Sequence, residues 1–325
     1  MSSPSKHSHL LCIAPMMQCT DRHFRYLARL LSKHSVLYTE MIATGALVHG
    51  NHRKLLKIDP IEHPVALQLG GSSVAEMEIC AEYAAEYEYD EININVGCPS
   101  NRVQAGKFGA CLMLEPQVVA DCIRAIKAAT NIEATVKTRI GVDNHDSYQE
   151  LHNFVETVAS SGCTTFIVHA RKAFLSGLSP KKNRTVPALR YEYVYRLKRD
   201  FPELRFVLNG RLNHKTTILS HLGQVDGVMI GREAYENPCF MADVDAMLFN
   251  SETLSRHDVL SEYKRYIQLQ LDEGVPLRIL TRHVSGLFNG ISGARAWRRL
   301  LSEYSSKKGA GLEVVCEAES LLAHD

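Results

Sequence analysis

No two of the nine cysteines (Cys12, Cys19, Cys80, Cys98, Cys111, Cys122, Cys163, Cys239 and Cys316) stand in C-x-x-C spacing. That removes the usual zinc framework, and no metal is expected. An odd, scattered set is also a poor disulfide framework, so most of these thiols are read as buried core residues. No apolar run approaches the roughly 18 residues of a membrane span. Met1–His9 is polar and lacks the apolar core of a secretory signal. It is read as a short disordered lead-in to a cytoplasmic protein. No G-x-G-x-x-G follows the first strand-like run, which weighs against an open doubly wound dinucleotide fold. Internal repeats and low-complexity tracts are missing too. Charge of one sign is not in excess: the formal net charge is +1 over 325 residues, so bulk charge does not announce nucleic acid.

What is present is an alternation. Short β-branched runs at Leu10–Ala14, Val36–Glu40, Val65–Leu69, Glu91–Val96, Ala134–Thr138, Thr165–His169, Arg205–Asn209 and Gly227–Ile230 are separated by helix-period stretches. The clearest of these are Arg22–Ser32, Val74–Glu86, Pro116–Ala129, Ser147–Ser160 and Tyr191–Asp200. Eight such units over roughly 245 residues match an α/β (β/α)8 TIM barrel, which takes about 250. After Met247 the pattern becomes wholly helical. Apolar stripes run through Val259, Tyr263, Tyr266/Ile267 and Gln270/Leu271, then Leu277, Leu280, Val284, Leu287 and Phe288. A third contains Trp297, Leu300/Leu301 and Tyr304, and Glu313–Leu322 reads as a last helix. The expected division is a barrel over residues 1–248 and an all-helical domain over 249–325. Positive charge clusters in two stretches: residues 171–200 hold nine Lys/Arg against two acids, and 276–308 hold seven against one.

In a β/α barrel, functional side chains sit where strands end. Pro15, Met16 and Met17 follow the first strand, and Gln68 lies near the end of the third. Asn95 leads into Gly97-Cys98-Pro99. Lys137 and Arg139 end the fifth strand, His169 and Arg171 the sixth, Asn209-Gly210-Arg211 the seventh and Gly231-Arg232 the eighth. Glycines at the last two ends allow close backbone approach, and loops there commonly form a phosphate site. Lys137 reads either as a cation facing a cofactor or as a Schiff-base nucleophile. Cys98 differs from the other cysteines in context, because Pro99 holds it extended and Gly97 lets the chain bend before it. A thiol, with a reference pKa near 8.5, is mostly protonated at neutral pH and can act as a proton donor. Cys111, in the same long loop, lacks that setting.

These residues resemble the tRNA-dihydrouridine synthase family, in particular its bacterial branch acting on uridines 20 and 20a of the tRNA D-loop. The stretches that carry the resemblance include APMMQCTDRHFR (Ala14–Arg25), LQLGG (Leu67–Gly71), ININVGCPS (Ile92–Ser100), GKFGACLM (Gly106–Met113), VKTRIGVD (Val136–Asp143), VHARKAFLSGLSPKKNR (Val168–Arg184), DGVMIGREAYENP (Asp226–Pro238) and TRHVSGLFNGISGARAWRR (Thr281–Arg299). They span nearly the whole chain in family order. The resemblance implies FMN as cofactor and NADPH as electron donor. It implies Pro15, Met16, Met17 and Gln68 beside the flavin ring, and Lys137 near its electron-rich side. His169, Asn209, Gly210, Arg211, Gly231 and Arg232 would hold the ribityl and phosphate end. Cys98 is implied as the proton donor, Asn95 as a contact to the target uracil, and Lys181, Arg184, Arg295 and Arg298 as tRNA contacts. Arg139 is grouped with these substrate residues. Two positions depart from the pattern. Gln18-Cys19 replaces a frequent Asp-Trp, and Arg211 stands where glycine is usual. Arg211 is tolerable and adds charge if phosphate is bound through the backbone amide there; if a glycine is needed for positive φ, the loop must be rearranged.

The expected reaction is reduction of the uracil C5–C6 bond, with hydride from reduced FMN to C6 and a proton from Cys98 to C5, on a base flipped out of its loop. Two rivals are a flavin barrel acting on a free pyrimidine and a non-catalytic tRNA-binding protein. The chain is expected to work as a monomer.

Overall fold

The computed structural model describes residues 8–322. The expected disordered lead-in therefore lies outside the described residues from Met1 to His7. At its end the expectation is corrected: His9 is buried, and its Nε2 lies 2.7 Å from the Glu91 carboxylate.

The described residues contain nine strands: β1 (Leu11–Ile13), β2 (Leu37–Tyr38), β3 (Ile42–Ala43), β4 (Val65–Gly70), β5 (Glu91–Val96), β6 (Glu133–Arg139), β7 (Thr165–His169), β8 (Arg205–Asn209) and β9 (Gly227–Ile230). The paired strands are parallel, in the order β1-β9-β8-β7-β6-β5-β4-β2, with β3 also on β4. The ladder closes on itself where Ile13 N–H donates to Val36 O and Val36 N–H to Leu11 O, each at 2.9 Å. β2 and β3 share one position along β4, so eight positions form a (β/α)8 barrel. β3 was not expected, because two residues are too few to show a period. The intervening helices begin as their sequences dictate. Ser73 caps Val74–Glu86, Pro116 opens Pro116–Ala129, and Ser147 with Glu150 forms a capping box for Tyr148–Ala159.

The barrel interior is divided. Cys12, Ala14, Val36, Tyr38, Ala66, Ile167, Val207 and Met229, on or beside β1, β2, β4, β7, β8 and β9, form one apolar cluster. On β5 and β6, and at Gln68 on β4, the inward positions are polar instead. Glu91, Asn93 and Asn95 alternate with Ile92, Ile94 and Val96, and all six are buried. In register beside them stand Gln68 on β4 and Glu133, Thr135 and Lys137 on β6.

The chain separates into two compact units. The first is the barrel: the described residues up to Gln18 together with Ser35–Gly231. The second joins Cys19–His34 to the residues from Arg232 onward. It contains the helices Arg22–Leu31, Arg232–Glu236, Cys239–Phe249, Arg256–Asp272, Leu277–Thr281, Ala294–Tyr304 and Glu313–Glu319. Its core is aromatic: Tyr26 stacks on Tyr266 with ring centroids 3.9 Å apart, and Trp297 packs edge-on against Phe288. The stripe Val259, Tyr263, Tyr266, Ile267 and Gln270 is buried as expected. The next stripe is not one helix: it starts in Leu277–Thr281 and continues through turns, with Val284, Leu287 and Phe288 still buried. The last stripe is narrower than expected. Ala294, Trp297 and Leu301 are buried, Leu300 is half-buried, and Tyr304 is exposed beneath the Lys307 ammonium. Of the nine cysteines, all free, four are fully buried, fewer than expected.

One buried carboxylate ties the second unit together. Asp245 accepts from Ser32 Oγ (2.7 Å), His34 N–H (3.0 Å), the His34 ring (2.9 Å) and Ser251 Oγ (2.7 Å). Burial alone would raise its pKa, but these donors to the ionised form outweigh it and hold the pKa below the ordinary carboxylate value. A carboxyl with a depressed folded-state pKa contributes stability above its unfolded pKa, about 3.9, and loses it as pH falls through the folded value. Asp245→Asn is therefore expected to cost about 1.5–3 kcal/mol at neutral pH. In denaturant melts across a pH series, the gap from wild type should close below about pH 4.

Candidate active site

The loop after β5 begins with a local hydrogen-bonded turn. Asn95 Oδ1 accepts from Gly97 N–H at 3.1 Å and from Cys98 N–H at 3.0 Å. Ser100 then caps the short helix Asn101–Ala105, and the Cys98 thiol lies 3.7 Å from its hydroxyl. Farther along, Ala110 N–H returns to Cys98 O at 2.9 Å. That return needs Gly109: its φ is +78°, and a Cβ there would sit 2.5 Å from Cys98 O. Cys98 is thus held by bonds on both sides of its peptide unit, with its side chain half-buried. Cys111 differs: its thiol faces Phe108 O at 3.1 Å, and burial pushes its pKa up.

Cations gather behind this turn. Lys137, level with Asn95 across the β5–β6 ladder, reaches Asn209 Oδ1 at 3.4 Å. Its pKa is pushed down to about 7, first by burial and then by the Arg139 guanidinium, with Cys98 acting in the opposite direction. Burial, followed by Arg139, Lys137, Arg171 and Arg184, keeps the His169 pKa well below its usual value, so that imidazole is neutral at pH 7. A pocket that disfavours so many positive charges is suited to an anionic occupant.

Arg139 does not point to solvent, as its expected substrate role would require. It is buried, with Nε donating to Gly97 O (2.8 Å) and Nη1 to Lys172 O (3.0 Å) and Asn183 O (3.1 Å). The guanidinium therefore joins the Cys98 turn to the long connection after β7. Gln68 is also more enclosed than expected. It is 1% exposed, donating from Nε2 to Asn93 Oδ1 (2.8 Å) and accepting at Oε1 from Asn95 Nδ2 (2.9 Å).

Met16 packs against the apolar barrel cluster, with Pro15 half-buried and Met17 exposed beside it. At the ends of β8 and β9 the backbone takes unusual forms. Gly210 has φ +137°, and its carbonyl accepts from Tyr191 Oη at 2.7 Å. Arg211 has φ +52°, a left-handed conformation. The position does favour glycine, and arginine adopts it with its side chain exposed. A Cβ on Gly231 would meet nothing within 4 Å, so the backbone there borders open space.

Lys181 and Arg184 are exposed on the connection after β7. What positions them is Asn183, which the sequence reading passed over. It is fully buried, its Oδ1 accepting from Phe174 N–H (2.7 Å) and its Nδ2 donating to Phe174 O (3.0 Å) and Leu178 O (3.2 Å). An asparagine between two bases in a Ser/Pro-rich loop was the available signal. In the second unit, Arg232 opens the short helix Arg232–Glu236 and is exposed. Arg295, Arg298 and Arg299 are exposed on Ala294–Tyr304, opposite the buried Trp297. Arg298 Nη1 also donates to Asn289 Oδ1 at 2.8 Å. Among the described residues no group of three or more His, Cys, Asp or Glu side chains is placed to hold a metal ion, and no helix is long and apolar enough to cross a membrane.

A (β/α)8 barrel with a fixed thiol, a depressed lysine and a neutral histidine at its C-terminal strand ends has the arrangement of a barrel enzyme. Residues 12–322 match the family described as Dihydrouridine synthase (Dus), and the chain belongs to that family. It is 54% identical to the tRNA-dihydrouridine(20/20a) synthase of Shewanella oneidensis, over 93% of this chain and 91% of that protein. It is 53% identical to the one from Vibrio cholerae, over 96% of each chain. The protein of that name from Synechocystis sp. is 50% identical over 94% of this chain and 92% of its own length.

Asn183→Ala removes the three hydrogen bonds of a buried side chain from beneath an exposed loop. It is expected to lower global stability by about 1–3 kcal/mol. Trypsin cleavage after Lys181, Lys182 and Arg184 should accelerate more than cleavage elsewhere; unchanged cleavage there would show that Asn183 does not hold the loop.

Proposed function

We propose that this chain reduces the C5–C6 double bond of D-loop uridines 20 and 20a in tRNA, using FMN and NADPH. The observation that carries this reading is the Cys98 turn: a thiol fixed by Asn95 at the same strand ends as Lys137, in a member of the dihydrouridine synthase family. The residues at those ends fit a flavin mononucleotide. Met16 and Pro15 offer an apolar edge, Lys137 a cation whose charge an anionic ring would favour, and Gly210-Arg211 with Gly231 a backbone free to approach a phosphate. His169, Asn209 and Arg232 complete the proposed cofactor set, and Gln68 retains one N–H for the ring edge beyond its two bonds in the barrel. When bound, FMN supplies the hydride chemistry, taking hydride from NADPH and delivering it to uracil C6.

The protein's own part is position and a proton. Asn95 spends its carbonyl on the Cys98 turn and one N–H on Gln68, which leaves one N–H for a flipped uracil. The Cys98 thiol donates its proton to C5 as general acid. Arg139 holds the turn from behind through Gly97 O. Lys181 and Arg184 in the barrel unit, and Arg295 and Arg298 in the helical segment 249–325, are proposed to bind tRNA phosphates.

Chromatography of acid-released flavin is expected to give FMN; FAD or no flavin would overturn the cofactor reading. Cys98→Ala should retain flavin and NADPH oxidation while dihydrouridine formation falls by roughly 10²–10⁴-fold. Cys111→Ala should change little, and equal losses in both variants would refute the assignment. Free uracil replacing tRNA as a good substrate would favour the small-molecule rival.

The arginine face is tested separately. Arg295→Ala combined with Arg298→Ala should leave folding and NADPH oxidation unchanged. It should weaken tRNA binding and flatten the slope of log K against log salt by about 0.7–0.9 per lost phosphate contact. Coincident lines would assign this face to solvent.

A further inference from the structure

Inside the barrel a hydrogen-bonded column runs from the floor to the Cys98 turn. Thr135 Oγ1 donates to the Glu91 carboxylate, and Asn93 Nδ2 donates to Thr135 Oγ1 at 2.7 Å. Gln68 Nε2 donates to Asn93 Oδ1 at 2.8 Å, and Asn95 Nδ2 to Gln68 Oε1 at 2.9 Å. Asn95 Oδ1 then accepts from Gly97 and Cys98 N–H. Each link points its donor toward the floor. Both ends dictate that direction independently. An ionised carboxylate only accepts, and a backbone N–H only donates. Between them, turning the Gln68 amide alone would set N–H against N–H toward Asn95 and oxygen against oxygen toward Asn93, and turning Asn93 alone would set N–H against N–H toward Gln68 and draw the Thr135 hydroxyl away from Glu91. The three amides therefore turn together or not at all. Glu91 is itself fixed by Tyr38 Oη at 2.9 Å and His9 Nε2 at 2.7 Å.

We infer that Glu91 and Thr135 are positioning residues for the Cys98 turn, acting through the orientation of the Asn93, Gln68 and Asn95 amides. Glu91 begins β5 and Asn95 lies four residues further along it, so the column carries this constraint over about 13 Å at 3.3 Å per residue. The carboxylate touches neither thiol nor substrate. What it transmits is direction: with the lower anchor in place, Asn95 presents oxygen to the turn and N–H to the barrel interior. Without it, the amide at the top is held from one end only.

The inference rests on the proposed role of Cys98, and the test separates the two. Thr135→Val keeps the side-chain shape and removes the hydroxyl that joins Asn93 to Glu91; Thr135→Ser restores it. Backbone amide exchange at Gly97 and Cys98, read by NMR or peptide mass spectrometry, does not depend on which reaction is catalysed. In Thr135→Val it should accelerate at those two amides relative to Ile92 and Ile94 in the same strand. With tRNA as substrate, kcat should fall roughly 10-fold with KM unchanged, since misplacement of about 1 Å can cost up to about 10²-fold. Thr135→Ser should recover both. A purely structural role would lower the melting temperature and move neither readout. Glu91→Gln, which keeps size but replaces one acceptor oxygen with a donor so that the lower end no longer only accepts, carries the same expectations if Thr135→Val does not fold. Wild-type exchange and kcat in the folded variant would overturn the inference. Faster exchange in a protein that does not reduce tRNA uridine would support the column and overturn the functional reading alone.

Discussion

Much of the barrel unit depends on a carboxylate placed where water cannot reach it. Glu91 is 3% exposed. A buried carboxylate is tolerable only when donors surround it. His9, Tyr38 and Thr135 provide them, and each brings its own requirements. His9 extends the ordered chain to a point before β1, and its Nδ1 lies 3.2 Å from Arg205 Nη1. Arg205 in turn reaches Thr165 at 2.9 Å and Glu133 at 3.4 Å. Thr135 starts the amide column that ends at Cys98. A connected polar network thus lies inside the barrel beside an apolar cluster of Cys12, Ala14, Val36, Tyr38, Ala66, Ile167, Val207 and Met229.

Electrostatics at the upper end follow a different logic. Lys137, Arg139, Arg171 and Arg184 repel one another's charges and that of His169. Arg139 is accommodated because three backbone carbonyls accept from it, which leaves its charge in place as a support for the turn. Lys137 has only the Asn209 amide at 3.4 Å among the bonds described, and its pKa drops accordingly. Anions bound near Lys137 would restore its charge, so ligand binding and lysine protonation are linked. The occupant proposed beside Lys137, a reduced flavin ring, is anionic when its N1 is deprotonated.

The helical unit divides its work between inside and outside. Tyr26, Tyr263 and Tyr266 pack as a cluster of rings, and Trp297 spends its indole N–H on Val284 O at 3.3 Å. With that face of Ala294–Tyr304 fixed inward, helical geometry sends Arg295, Arg298 and Arg299 outward, and Arg298 is further directed by its bond to Asn289.

The barrel was legible in the sequence because its strands carry local signals. β5, β7, β8 and β9 begin and end where their β-branched runs do, and glycine, proline or capping residues punctuate the helices between. Membership of the dihydrouridine synthase family was legible for a similar reason: the residues that define it lie in short contiguous motifs. The candidate site was legible as positions at strand ends, since a parallel barrel brings those ends together whatever the side chains do. Their partners were not legible. Gln68 reads as a free amide but is held between Asn93 and Asn95. Arg139 reads as a strand-end residue grouped with the substrate contacts but is buried with its guanidinium on three carbonyls, and Asn183, which the sequence reading passed over, is the loop's staple. The alternation of Glu91, Asn93 and Asn95 with Ile92, Ile94 and Val96 was visible as a period of two. Its meaning depended on Thr135 and Gln68, which stand 40 residues later and 27 residues earlier in the chain. A period is a property of neighbours along the chain, and the sequence determines it alone. The direction of a hydrogen bond is a property of neighbours across the barrel, and only closure of the barrel decides which donor meets which acceptor.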